Sequence, residues 1–239
     1  MSKNIYKFNK KNILFILLFI IIGFITLKIS INQIAGSGVS FTLFDLFAPI
    51  SGAFLGSPIG VTAVLIIKLI NLLFGGITNI DKASIVRLFP ILFAVWYFAF
   101  KPKKQNTYQS RLILAIPIFS MLMFNLHPIG RTVWFYSMFW FIPLLVWPLR
   151  EKSLIAKSLG ATFTAHGVGA TIWIWLFNLP AAVWISLVPI TAMERGIFAL
   201  GISASYILVN NILAFLTSKK LIPQGIVIDK RFLLKKFVI

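Results

Sequence analysis

From Leu43 to Gly75 the chain is apolar apart from Asp45, Lys68 and a few hydroxyl and amide side chains, and the run is too long for one membrane-crossing helix. A hydrocarbon core ~30 Å thick is crossed by roughly 20 residues of α-helix. Ser57-Pro58 lies in the middle of the run, flanked by Gly56 and Gly60. Proline removes a backbone donor and disfavours helix in the residue before it. The run is therefore expected to form a hairpin of two short spans, Leu43 to Leu55 and Ile59 to Phe74. Composition agrees with a membrane setting, since only 12% of the 239 residues are charged and 59% are hydrophobic, where soluble domains carry ~25% charged residues. So few charges cannot cover a water-exposed surface, which argues against a soluble enzyme. The absence of cysteine excludes disulfides, thiolate metal sites and cysteine nucleophiles together.

The net charge of +18 comes from 23 Lys and Arg against 5 Asp and Glu. These cations sit in short runs between apolar segments, the pattern of cytoplasmic loops, and no nucleic-acid motif accompanies them. The expected fold is an all-α polytopic membrane bundle of about six to eight transmembrane segments, with both termini cytoplasmic. A single transmembrane domain over residues 1–218 would hold spans near 13–27, 43–55, 59–74, 85–100, 112–126, 133–147, 154–177 and 195–216. A short helix, Val183 to Ile190, is expected to break near Pro189 before the last span. Counting Leu43 to Gly75 as two crossings places Lys101 to Arg111, Arg150 to Lys157 and the basic tail on one side, as the positive-inside rule requires; one crossing does not. Trp134, Trp173, Trp175 and Trp184 then fall near the outer interface, and Trp96 and Trp147 near the inner one. The basic tail, 219–239, is expected to be cytoplasmic, with Ile222 to Ile239 lying on the inner leaflet.

Charged groups in hydrocarbon cost roughly 2.5–3.5 kcal/mol each and usually face protein or water. Asp45, Lys68, Arg87, Glu194 and Arg195, with Asn71 and His166, are the candidate solute-binding residues. The competing reading is ion pairing that holds the bundle together. Glu194 and Arg195 are not expected to pair with each other, because helix neighbours point ~100° apart. Three cations against two anions weakly favour an anionic ligand. His166 lies in a run of small and hydroxylated residues, Thr162 to Ala170, where it could pack, touch a ligand or relay a proton. Gly52, Gly56 and Gly60 repeat at four-residue spacing, which suits either internal packing or docking of a partner membrane protein. No metal site, cofactor motif, nucleotide-binding glycine pattern or catalytic elbow is present in the sequence, so neither a metal nor a cofactor is expected.

The segment from Thr42 through Asp45, Pro49, Gly52 and Gly56 to Ser57-Pro58-Ile59-Gly60 resembles the early hairpin of substrate-binding S components of energy-coupling-factor vitamin transporters. The resemblance covers residues 13–75. It implies capture of a small solute from outside, beneath the Lys28-to-Phe41 loop, in a prokaryotic plasma membrane. It also implies docking through Gly52, Gly56 and Gly60 onto a transmembrane coupling subunit powered by separate ATPases. The departures are the span count and the segments around His166 and Glu194, so no substrate follows. Two alternatives stay open: a membrane enzyme acting on a lipid or lipid-linked substrate, and a non-catalytic assembly or structural protein.

Overall fold

Helix α1 (Lys10–Lys28) is apolar all round, yet it has two distinct faces. Phe15 and Phe19 are buried in the protein, while Leu14, Leu17, Ile21 and Ile25 are exposed. An exposed apolar stripe of that length is a lipid-facing surface. The structure is a computed structural model and describes residues 10–33, 40–74, 81–99, 107–223 and 226–234. Residues 34–39 of the loop expected to roof the site, the Lys101–Lys104 part of the basic loop and the last five residues lie outside those bounds. The segment after α1 forms a short antiparallel hairpin of β1 (Ser30–Gln33) and β2 (Ser40–Thr42), with Asn32 opposite Phe41.

The expected hairpin is present as α2 (Leu43–Leu55) and α3 (Ser57–Phe74). Asp45 accepts from the backbone N–H of Thr42 at 2.9 Å, which satisfies one donor at the start of α2. The break falls at Gly56, whose φ of 85° is open to glycine and strained for other residues. Pro58 then sits in the first turn of α3, where its missing N–H costs nothing.

The expected fourth span is two helices, α4 (Lys82–Val86) and α5 (Pro90–Ala99), separated by a turn that places Pro90 at the start of α5. Helix α6 (Thr107–Leu126) ends at His127, whose Nδ1 accepts from Ile129 N–H and caps α7 (Pro128–Thr132). The expected sixth span is irregular. A 3₁₀ stretch, Trp134–Phe141, leads into α8 (Ile142–Leu145) and a second 3₁₀ turn, Trp147–Leu149. Pro143 and Pro148 lack the N–H groups that a regular α-helix would use here, and the tighter winding accommodates them.

Helix α9 (Leu154–Phe177) has the expected bounds and is the axis of the bundle, packed by α5, α6 and α10 (Ala181–Ser218). Its small residues allow the approach: a Cβ on Gly160 would collide with the Tyr97 ring of α5. Buried hydroxyls join it to its neighbours, Ser158 to Ser203 of α10 at 2.9 Å and Thr171 to the carbonyl of Ser120 in α6 at 3.1 Å.

Helix α10 corrects the expected break at Pro189. Its 38 residues are continuous, about 57 Å at 1.5 Å per residue. Proline removes one backbone hydrogen bond, a loss that packed membrane helices absorb. Lys82–Ala99, α3 and α10 are long and apolar enough to cross a membrane, and with the exposed apolar stripes they make this a helical membrane protein.

Residues 226–234 are held against the bundle. Asn210 donates to the carbonyl of Asp229 at 3.0 Å and accepts from its N–H at 2.8 Å. Asn211 does the same for the carbonyl of Phe232 at 2.7 Å and the N–H of Leu234 at 2.8 Å. Ile226 is buried in the main core. This part of the expected leaflet-bound tail is therefore a strap tied to α10.

Candidate functional site

Trp140 donates its indole N–H to Nδ1 of His166 at 3.1 Å. Nε2 of the same imidazole meets the Tyr136 hydroxyl at 3.1 Å, and that hydroxyl meets Thr191 Oγ1 at 2.9 Å. The chain of contacts runs from the irregular 134–149 stretch through α9 to α10. The indole can only donate, so Nδ1 accepts and the ring proton of neutral His166 sits on Nε2. Nδ1, the basic nitrogen of that tautomer, is thus occupied by a donor too weakly acidic to give up its proton. This argues against His166 as a general base in this arrangement. Phe124, Trp140 and Trp184 pack around Tyr136. Trp184 is fully buried among these rings.

One turn below Thr191 on α10 lies Arg195, buried beneath the β2–α2 junction. Its guanidinium stacks over Phe198 at 4.3 Å and Phe41 at 5.1 Å. Nη1 reaches Thr162 Oγ1 on α9 at 3.4 Å, and Nη2 lies 3.6 Å from Glu194 Oε2. Nε is buried and has no acceptor. The Glu194–Arg195 contact corrects the expectation that these neighbours do not pair. Long side chains can curl toward one another despite divergent Cβ directions, although the result is an ion pair longer than a hydrogen bond. Asp45 lies within electrostatic reach of the same guanidinium.

The candidate residues therefore separate. Asp45, His166, Glu194 and Arg195 gather around one interior locus. Lys68 stands over the Phe44 ring at 5.6 Å, and Asn71 accepts from Lys28 Nζ at 2.9 Å, a tie between α3 and α1. Arg87 is exposed, with its guanidinium 5.7 Å from the Trp173 ring. The cation surplus read from the sequence disappears locally, because two carboxylates face one arginine. Gly52 and Gly60 are buried against each other, and a Cβ on Gly52 would meet the Val95 carbonyl and Ala99 of α5. These two glycines are thus a packing seam within the chain, leaving no surface there for a partner. Gly56 is the hinge between α2 and α3. Tyr136, Trp140 and Thr191 escape sequence reasoning. The available signal is that a phenol or indole buried in an apolar bundle usually carries a hydrogen bond, as Tyr136 and Trp140 do.

Among the described residues no group of His, Asp and Glu is arranged to hold a metal ion. Comparison of the chain with protein-family models, with curated proteins and with solved structures finds no match in any of the three.

Proposed function

We propose that this protein is the membrane-embedded, solute-binding subunit of a transporter, similar in role to the S components of energy-coupling-factor systems. In this reading it crosses a prokaryotic plasma membrane about eight times, by α1, α2, α3, α4–α5, α6, the 128–149 stretch, α9 and α10. Both termini are cytoplasmic, and a coupling subunit with its ATPases belongs to other chains. The observation that carries the reading is Arg195, a buried cation in a membrane bundle whose Nε has no acceptor. Placing such a group there is costly, and membrane proteins retain it where it recognises something.

The topology draws support from contacts at one end of the bundle. Arg150, just before α9, donates to the carbonyl of Tyr97 near the end of α5 at 2.6 Å, and Arg231 of the strap donates to the carbonyl of Glu151 at 2.5 Å. The end of α5, the start of α9 and the segment after α10 meet at one end of the bundle, an arrangement compatible with the positive-inside pattern.

Native mass spectrometry on gently purified protein tests the reading. A stoichiometric small metabolite released on denaturation is the expected result. A retained polyprenyl or phospholipid species that the protein converts would replace the proposal with the enzyme reading. A chain that arrives empty and binds no added solute would overturn it.

A further inference from the structure

Building on the binding-subunit reading, we infer that the solute is a small zwitterion. Its carboxylate takes the Nε–Nη2 edge of Arg195 in place of Glu194, and its ammonium group faces Asp45. A guanidinium offers a carboxylate two parallel N–H donors along that edge, a planar match that lysine cannot supply. Here the edge is poorly filled. Nε has no acceptor, and Nη2 has only Glu194 at 3.6 Å. Glu194 cannot close the gap squarely, because it projects from the adjacent position of the same helix. A free carboxylate has no such tether.

The other end of the guanidinium is held in place. Nη1 reaches Thr162, and the Phe41 and Phe198 rings, 4.7 Å apart and edge-on to one another, lie against the cation. Glu194 retains 15% side-chain exposure where Arg195 retains 10%, and its neighbour Met193 is on the exposed face of α10. In the inferred bound state the glutamate turns away, and the arginine, held by Thr162 and the two rings, stays.

Charge balance selects the class of solute. With Glu194 turned out, one carboxylate, Asp45, and one guanidinium, Arg195, remain, and a simple anion would pair the arginine while leaving Asp45 uncompensated in a medium of low dielectric. A zwitterion adds no net charge. Asp45 is anchored by the Thr42 N–H and hydroxyl, both through Oδ2, and it supplies a fixed negative group on the α2 side of the arginine.

The test is thermal unfolding of the full-length protein in detergent, with free L-amino acids as probes. Each amino acid is compared with its methyl ester, which lacks the carboxylate, and its N-acetyl derivative, which lacks the ammonium. At least one amino acid should raise the Tm in a saturable way, with roughly tenfold or greater loss of apparent affinity in both derivatives and in Arg195→Lys. Because the derivatives are tested on the unaltered protein, a poorly folding variant does not spoil the comparison. No shift with any amino acid, or equal shifts with the ester, overturns the inference. If native mass spectrometry releases a neutral or polyanionic metabolite instead, the zwitterion falls and the binding-subunit reading stands. An empty chain that binds nothing removes both.

Discussion

The indole N–H of Trp140 points at Nδ1 of His166 across 3.1 Å, and this one bond sets the direction of a polar chain through three parts of the bundle. With Nδ1 accepting, Nε2 carries the proton and donates to Tyr136, whose hydroxyl is then free to donate to Thr191. Trp140→Phe should leave Nδ1 buried without a donor and cost about 1–3 kcal/mol. Reversible unfolding in detergent measures the loss. Nitrogen NMR of histidine-labelled protein should show the Nε2–H tautomer in the parent and a mixture in the variant.

The strap depends on Asn210 and Asn211, each of which spends both halves of its amide on strap backbone. Alanine at either position removes two hydrogen bonds to the strap, and at 211 also the bond to the Ile207 carbonyl, each contributing about 0.5–1.5 kcal/mol. Limited trypsin digestion should then cut at Lys230 and Arg231 several times faster, with the helices left intact. Unchanged cleavage would mean that burial of Ile226 and its neighbours holds the strap without the asparagines.

Acid should loosen the same strap. Hydrogen bonds from Arg231 hold the Asp229 carboxyl below its usual range, with partial burial opposing them. A depressed folded-state value contributes stability above the unfolded value, about 3.9, and loses it as the pH falls from there through the folded one. Docking should therefore be constant from neutral pH down to about 5 and weaken below about 4. The chain has no cysteine, so a spin label on Leu234→Cys reports strap mobility directly, and Asp229→Asn should flatten the acid step.

Two glycines offer a matched pair. Gly52 has no room for a methyl group beside α5, whereas a Cβ on Gly196 would meet nothing within 4 Å. Gly52→Ala should destabilise by about 1–3 kcal/mol through overpacking. Gly196→Ala should be neutral or gain up to about 1 kcal/mol from helix propensity. Equal behaviour in an unfolding titration would argue against the packing seam.

Much of the architecture was legible because the bilayer leaves a chain few options. Apolar runs bounded by basic clusters mark helices whether or not they touch anything, and α2, α3 and α9 fall where the runs fall. Pro189 misled the reading of α10 because a missing hydrogen bond is a local fact, while helix continuity also depends on packing along both flanks. The Trp134–Leu149 stretch looked like an ordinary span because hydropathy is blind to winding.

The sequence by itself determined the solvent and the helical class, and it singled out the charges set within apolar runs, since these follow from transfer energies that each residue carries with it. Only the tertiary structure decided the company those charges keep. It joined Asp45, Glu194 and Arg195 near His166, sent Lys68 and Arg87 elsewhere, and supplied Tyr136, Trp140 and Thr191 from segments distant in the chain. The physical reason is that hydrogen bonds and ion pairs act over a few ångströms, and which groups come within that range depends on how α2, α9 and α10 cross.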